Sequence, residues 1–499
     1  MEIKKIKKRF KIPEEVKNIS RVLNDAGFES FLVGGCVRDL IRRESFGENV
    51  LPKDWDIATN AKPEEIIKLF PKTFYENEFG TVGIVNEQTS DMSLKIIEVT
   101  PYRLESEYSD FRRPDEVRWG KKIEDDLSRR DFTMNALAYN IFTEELLDPF
   151  GGIRDIERKL VRTVGLPEER FSEDALRMFR ALRLASELNF AIEHEAQKAI
   201  IKHRELMEHV SRERIRDEFT KIIMSDAPEP ALDTASRLGI LKFISPEFEK
   251  GIGMEQNQAH AYTVWEHLLR TLGHAAKKKF PLHLRLAAFA HDVAKPHTRK
   301  RLKNQWTFYN HEVLGARLTR AILTDMRFPK EIVEKAVVLV RWHMFFSDTE
   351  KITLSAVRRI VRNVGVNLIW DLVDLRTADR IGTGRPKETP YRLRKYKSMI
   401  KEVLHDPISV KQLAINGADI MKLTNILPGP HIGFILEILL SEVLENPKLN
   451  DRQYLSKRVG ELHSLDPKEL SELGKVARVK NENKEEEEIE KIREEYKVQ

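Results

Sequence analysis

The chain of 499 residues is too long for one hydrophobic core, so several domains are expected. Its composition, 41% hydrophobic and 33% charged, fits a soluble globular protein, and no apolar run is long enough to span a bilayer. The net charge of +5 permits an RNA partner without arguing for one. The N-terminus "MEIKKIKKRFKIPEEV" lacks the apolar core of a secretory signal, and the single cysteine, Cys36, excludes an internal disulfide framework and fits a reducing cytoplasm.

Up to about residue 160, strand-like runs ("FESFLVGG", "WDIAT", "TVGIV", "LKIIEVT") mix with helical segments such as "KPEEIIKLF", which is α/β patterning. In "FLVGGCVRDLI" a strand runs into Gly34-Gly35 and then a helix starting near Cys36. Glycines at such a turn let backbone N–H groups approach a phosphate, and Arg38 adds a guanidinium. In "PKDWDIAT", Asp54 and Asp56 sit two apart in a β-like run, so both carboxylates project from one face. Their mutual repulsion calls for a counter-charge, and a pair of Mg²⁺ ions with triphosphate oxygens supplies it. Glu98, in a third strand-like run, either joins that site by activating an attacking hydroxyl or is a polar position on a half-exposed strand. "EDDLSRRDFTMNALAYN" puts Arg129-Arg130-Asp131 ahead of a helical run with Asn135, and arginines suit triphosphate oxygens. Asp148, in the Pro/Gly turn of "LLDPFGGIRDI", reads as structural.

From about residue 167 the 3.6-residue period dominates and strand signals nearly vanish. "FSEDALRMFRALRLA" reads as one helix carrying Asp174, Arg177, Arg180 and Arg183 every third residue beside an apolar face. Asp174 and Arg177 are neighbours on that face, while the row spirals until Arg183 points nearly opposite to Asp174. Further on come His267, the adjacent His291-Asp292, His311, His343 and Asp379 on apolar helices. Imidazole and carboxylate together suit Mn, Ni, Co, Fe or Mg ions. This pattern resembles an HD domain, a metal-dependent phosphohydrolase fold. The resemblance implies one metal on His267, His291, Asp292 and Asp379, and matches His311 and His343 to the extra histidines of two-metal members. His260 competes with His267 for first ligand. In "ILPGPHIG", Gly429-Pro430 and Gly433 mark an interhelical turn or a phosphate-holding helix start, and the charge run from "VKNENKEEEE" onward reads as a solvated helix or disordered tail.

"LVGGCVRD", "DWDIAT", "RRDFTMNALA", "LLDPFGGIRDI", "EDALRMFRALR" and "RERIRDEF" together resemble the ordered motifs of class II tRNA nucleotidyltransferases. That family comprises CCA-adding enzymes and bacterial poly(A) polymerases of the DNA-polymerase-β superfamily, and the similarity runs from about residue 15 to 465. It implies an α/β nucleotidyltransferase head (1–165), an all-α neck for nucleobase and RNA (166–250), an HD body (251–390) and a tRNA-binding helical tail (391–465), followed by a charged extension (466–499). It implies that Gly35 and Arg38 contact the triphosphate, Asp54 and Asp56 bind two Mg²⁺, and Arg130 contacts the nucleotide. Asp174, Arg177, Arg180 and Arg183 match the family's protein-templating helix. "YRLESEYSDFRRPDEV" resembles the flexible loop of complete CCA enzymes.

Hydrogen-bond chemistry speaks independently for the template. An ionised Asp only accepts and an Arg only donates, so the pair matches the amino and ring-nitrogen edge of C and of A. Guanine and uracil present the reverse pattern, and each such match supplies roughly 1–3 kcal/mol of discrimination. The expectation is a cytoplasmic CCA-adding tRNA nucleotidyltransferase using CTP and ATP with Mg²⁺. An additional phosphohydrolase activity on RNA ends or 2′,3′-cyclic nucleotides, with Ni²⁺, Mn²⁺ or another divalent ion, accompanies it. A poly(A) polymerase, a CC- or A-adding specialist, or an RNA-end phosphohydrolase are the rival readings.

Overall fold

A computed structural model describes the chain except residues 1–4, 76–79, 104–118, 257–260, 303–304, 345–351, 405–408 and 480–499. His260, the loop expected within "YRLESEYSDFRRPDEV" beyond Arg103, and the charged tail past Val479 lie outside the described residues. The chain divides into two compact units, Met1–Ile244 and Ser245–Gln499.

The first unit is built on an eight-stranded mixed sheet. Its strands are β1 (Lys5–Lys7), β2 (Ser30–Val33), β3 (Asp56–Thr59), β4 (Thr73–Tyr75), β5 (Val82–Val85), β6 (Ile96–Pro101), β7 (Ala138–Asn140) and β8 (Glu145–Leu147), in the order β1, β8, β7, β2, β3, β6, β5, β4. The centre is β2 antiparallel to β3 and β3 parallel to β6, with Val33 opposite Asp56 and Asp56 opposite Glu98. Alternation along β6 buries Ile97 and Val99 completely and turns Glu98 to the other face. Val33, Ala58, Tyr102, Ile123, Leu127, Ala138 and Leu147 form a core cluster against this sheet.

Several elements differ from the sequence reading. β3 begins at Asp56, so Asp54 lies in the bend before the strand. The run after Arg130 is not a long helix: a 3₁₀ turn, Thr133–Asn135, leads straight into β7, because Ala138–Asn140 is claimed by pairing with β2 and β8. "FSEDALRMFRALRLA" is two helices, Pro167–Glu173 and Leu176–Leu188, with Asp174 extended between them. The second helix packs against Arg212–Met224 and Pro228–Arg237. Two short ribbons interrupt the helical remainder: Leu160–Val161 with Ala191–Ile192, and the hairpin Lys300–Leu302 with Gln305–Thr307. Asp148 is structural as read: its carboxylate accepts the N–H groups of Gly152 (2.7 Å) and Ile153 (3.1 Å) where the helix Gly152–Glu157 starts.

In the second unit the helix Val264–Lys277 packs on Leu282–Ala290 and Ile369–Gly382, and Lys330–Trp342 packs on Leu282–Ala290 and His311–Asp325. The crossing with Ile369–Gly382 is close enough to require glycine: a Cβ on Gly382 would lie 2.1 Å from Thr271 Oγ1. The tail helices Gly417–Thr424, Pro430–Glu445 and Arg452–His463 surround a cluster of Ile420, Ile435, Leu439, Val443, Leu455 and Val459. Gly429 precedes the helix Pro430–Glu445 and Gly433 falls in its first turn. Among the described residues no helix is long and apolar enough to cross a membrane.

Candidate active sites in the two units

The strand-to-helix turn after β2 is set by Gly34, whose φ of +75° starts the helix Gly35–Phe46 at Gly35, one residue before Cys36. A Cβ on Gly34 would lie 3.0 Å from Arg130 Nη1 and 3.2 Å from Asp56 Oδ2. One on Gly35 would meet Arg38 at 3.6 Å and Asp54 Oδ1 at 3.7 Å. The turn therefore sits between the carboxylates and the guanidiniums, where a side chain on Gly34 would crowd both while one on Gly35 would make only ordinary contact. Arg38 is fixed by a bidentate bond to Asp39 (2.9 and 3.0 Å) and donates to Asn135 Oδ1 (2.9 Å). Arg130 donates from Nε and Nη2 (3.1 and 2.9 Å) to one oxygen of Asp126, Oδ2, while the other oxygen takes Arg129. Burial alone would raise the Asp126 carboxyl, but Arg130 and Arg129 beside it hold it down at about 2.

Asp54, Asp56, Glu98, Gly35, Arg38, Arg130, Asp174, Arg177, Arg180 and Arg183 all line one cavity of about 940 Å³. The three carboxylates offer hard oxygen ligands to this cavity, and register alone puts Glu98 beside Asp56. That donor set fits hard divalent cations.

The neck wall is organised differently from the helix-face picture. Asp174 Oδ1 accepts the N–H of Leu176 (3.1 Å) and its Oδ2 accepts from Arg214 (2.8 Å), so Asp174 caps the second helix instead of lying in it. Arg177 is buried, pairs with Glu173 and reaches the carbonyls of Arg170 (3.2 Å) and Arg129 (3.4 Å). Arg180 is clamped by Asp131 at 2.8 and 2.7 Å, and Arg183 by Glu218 at 2.6 Å. Burial would raise the Asp131 carboxyl, yet Arg180 and Arg177 pull it below its usual range. The row spirals away from Asp174, yet Arg183 lines the same cavity, because the helix starts only after Asp174 and the arginine side chain is long. Glu173, Glu218 and Arg214 escaped the sequence reading, and Asp131 was noted there without its pairing to Arg180. The signal was there in the alternating charges of "RRDF" and "RERIRDEF".

In the second unit six of the expected ligands converge. His267 Nε2 lies 3.0 Å from His291 Nε2 and 3.3 Å from both Asp292 Oδ2 and Asp379 Oδ1. His311 Nε2 lies 3.2 Å from Asp292 Oδ1 and 3.3 Å from His343 Nε2, which is 3.7 Å from Asp292 Oδ1. Asp292 thus turns one oxygen to each of two groups, His267–His291–Asp292 and Asp292–His311–His343. The carbonyls of Ala288, Phe308 and Val340 face Nδ1 of His291, His311 and His343 at 3.0, 2.7 and 2.7 Å. These contacts assign the protons to Nδ1 and leave Nε2 lone pairs pointing at one another and at carboxylate oxygens. Burial, the largest influence, pushes His343 below the usual imidazole range and favours its neutral form. Burial would raise both carboxyls, but the Lys295 ammonium beside Asp292 and the Arg376 guanidinium beside Asp379 hold them well below the usual range. Acceptors gathered this way fit divalent cations, which would relieve their mutual repulsion. Lys295, not singled out from sequence, donates to Asp292 Oδ2 and to Gln256 Oε1, both at 2.6 Å.

Family models match the chain in three places: a Poly A polymerase head domain over residues 30–162, a probable RNA and SrmB-binding site of polymerase A over 189–252, and an HD domain over 259–383. The CCA-adding enzyme of Lactiplantibacillus plantarum is 30% identical over 447 residues, covering 89% of this chain and 94% of that protein. The CCA-adding enzyme of Bacillus velezensis is 45% identical over 221 residues, 44% of this chain and 52% of that protein, so against such relatives the chain spans about half their length. The Bacillus stearothermophilus CCA-adding enzyme, solved in complex with CTP, superposes with a TM-score of 0.68 at 26% identity, covering 90% of this chain and 96% of that one. The Thermotoga maritima CCA-adding enzyme, complexed with tRNA, shares the fold with a TM-score of 0.53 at 18% identity, covering 90% and 95%.

Proposed function

The chain belongs to the CCA-adding enzymes, and on that premise we propose that it adds C, C and A to the 3′ end of tRNA from CTP and ATP without a nucleic-acid template. The observation that carries this is one cavity uniting three carboxylates, the Gly34-Gly35 turn with Arg38 and Arg130, and the neck row from Asp174 to Arg183. The tRNA 3′ oxygen bonds to the α-phosphorus, the bond from that phosphorus to the bridging oxygen of the β-phosphate breaks, and pyrophosphate leaves. Glu98, beside Asp56, takes up the proton of the attacking hydroxyl. Asp54 and Asp56 would hold Mg²⁺, which when bound neutralises the triphosphate and the charge that develops on the attacking and leaving oxygens. Arg38 and Arg130, each pre-set by a carboxylate partner, orient the phosphates; Asp174 accepts from the base amino group and Arg177 donates to its ring nitrogen. Head (1–165), neck (166–250), HD body (251–390), tRNA-binding tail (391–465) and charged extension (466–499) are the proposed division of labour, in a protein working in the cytoplasm.

The test is incubation with tRNA lacking its terminal CCA, supplying CTP, ATP or both. Three added residues with both nucleotides and two with CTP alone are expected. Addition of C only, of A only, or of a long A run overturns the assignment in favour of a specialist or a poly(A) polymerase.

The convergent cluster of the second unit favours a second activity, hydrolysis of a 2′,3′-cyclic phosphate at an RNA end or on a free nucleotide. Water adds to phosphorus, one of the two ring P–O bonds breaks, and a monoester with a free hydroxyl results. His267, His291, Asp292, His311, His343 and Asp379 would hold Ni²⁺, Mn²⁺ or another divalent ion, which supplies an acidified water when bound. Turnover of 2′,3′-cAMP with Ni²⁺ or Mn²⁺ is expected, and its loss in Asp292→Ala. Equal turnover by that variant, or none by wild type, overturns this activity.

A further inference from the structure

Between Asp292 and Glu312 the sequence carries five Lys or Arg residues and no acid. This stretch forms the antiparallel hairpin Lys300–Leu302 with Gln305–Thr307, which starts eight residues after Asp292 and ends four before His311. Both of its roots are thus tied to the metal cluster. Lys295 touches Asp292, and Phe308, whose carbonyl faces the His311 ring, is buried beneath the Lys295 ammonium at 5.5 Å. Thr307 is buried and bonds back to the Lys300 carbonyl (3.1 Å), which fixes the hairpin's root.

Lys300, Arg301 and Leu302 are exposed, and Trp306 is half-buried. The Arg299 guanidinium stacks 3.6 Å from the centre of the Trp306 ring, and Arg301, opposite Trp306 in the register, lies 5.7 Å from it. The part-exposed indole thus carries one guanidinium on its ring and a second close by. Interleaved guanidiniums and an aromatic ring are the combination that holds single-stranded nucleic acid, the cations on phosphates and the ring under a base.

We propose that this hairpin is a docking platform for the single-stranded 3′ region of RNA, so that the second unit's cluster acts on polynucleotide ends in preference to free cyclic nucleotides. The proposal rests on the phosphohydrolase reading of that cluster. Because Lys295 and Phe308 tie both ends of the hairpin to the cluster, a phosphate acted on there brings its neighbouring nucleotides towards the hairpin. Charge complementarity selects a polyanion, and the indole selects one with bases.

The full chain is to be assayed on a short single-stranded RNA ending in a 2′,3′-cyclic phosphate and on free 2′,3′-cAMP. In Trp306→Ala and Arg301→Glu, the ratio of the two kcat/KM values should fall roughly tenfold, through KM for the RNA, with Trp306→Phe restoring much of it. An unchanged ratio overturns the proposal. Arg301→Glu alters an exposed side chain and serves if the tryptophan variant misfolds. In parallel, an RNA with 4-thiouridine next to its 3′ end is photocrosslinked to the wild-type chain and the attachment mapped by mass spectrometry. Attachment within residues 299–309 supports docking at the hairpin, and attachment confined to other peptides overturns it. If neither substrate is hydrolysed, the phosphohydrolase reading has failed by itself, and the crosslink alone decides the docking.

Discussion

Asp126 is the residue on which the position of Arg130 depends, and sequence reading passed it over. Its carboxyl, held at about 2 by the two arginines against an ordinary value of 3.8, is more acidic folded than unfolded. The stability this contributes, roughly 2 kcal/mol, is complete above about pH 4 and is lost as pH falls through about 2. The difference in unfolding free energy between wild type and Asp126→Asn should therefore narrow over that window in urea titrations. A gap that stays constant would show that the ion pair adds nothing. At the other wall, Asp174 owes its aim to Arg214 at 2.8 Å and to the N–H of Leu176. Asp174→Ala should admit GTP and UTP while retaining some transfer, by the roughly 1–3 kcal/mol that one base match supplies. Arg214→Ala should do the same more weakly, with Arg214→Lys partly restoring selectivity. Unaltered exclusion of GTP and UTP in both variants would remove Asp174 from the template.

Elements were legible where their pattern is self-sufficient. The apolar runs that became β2, β3, β5 and β6, and the amphipathic helices of both units, follow from periodicity alone. The misreadings have a common cause: a local pattern overruled by a tertiary partner. "MNALAYN" looks helical, but β2 and β8 offer it ladder bonds. "FSEDALR" looks continuous, but Arg214 reaches Asp174 across the neck and stabilises it as a cap. Glycines make these junctions testable. Gly34→Ala places a side chain at φ +75° against Asp56 and Arg130, costing about 1–2 kcal/mol and weakening nucleotide binding. Gly382→Ala forces the helix Ile369–Gly382 away from Thr271 and His267. It should lower the thermal midpoint of the second unit by an overpacking cost of about 1–3 kcal/mol, read by calorimetry, and loosen divalent-ion binding there. Unchanged unfolding would mean that the crossing relaxes freely.

At the scale of the whole molecule, the two units carry separate candidate sites, and single substitutions should part the two chemistries proposed for them. Asp56→Ala should reduce nucleotide addition by roughly 10³-fold, as expected when charge stabilisation at a transition state is removed, while cyclic-phosphate hydrolysis persists. Asp292→Ala should do the reverse. Loss of both activities in either variant would mean that the chemistries share one centre. What the sequence determined by itself was the inventory: which carboxylates, arginines and histidines exist, at spacings that suit a strand pair, a helix start or a buried helix face. Residue chemistry and short-range periodicity are local properties, so they can be read along the chain. What only the tertiary structure decided was the partnering. It put Glu98 in register with Asp56, tied Asp174 to Arg214, brought Arg183 back to the cavity wall, and turned one oxygen of Asp292 to each of two histidine pairs. These contacts join residues tens of positions apart, and the sheet register and helix crossings that set them exist only once the chain has folded.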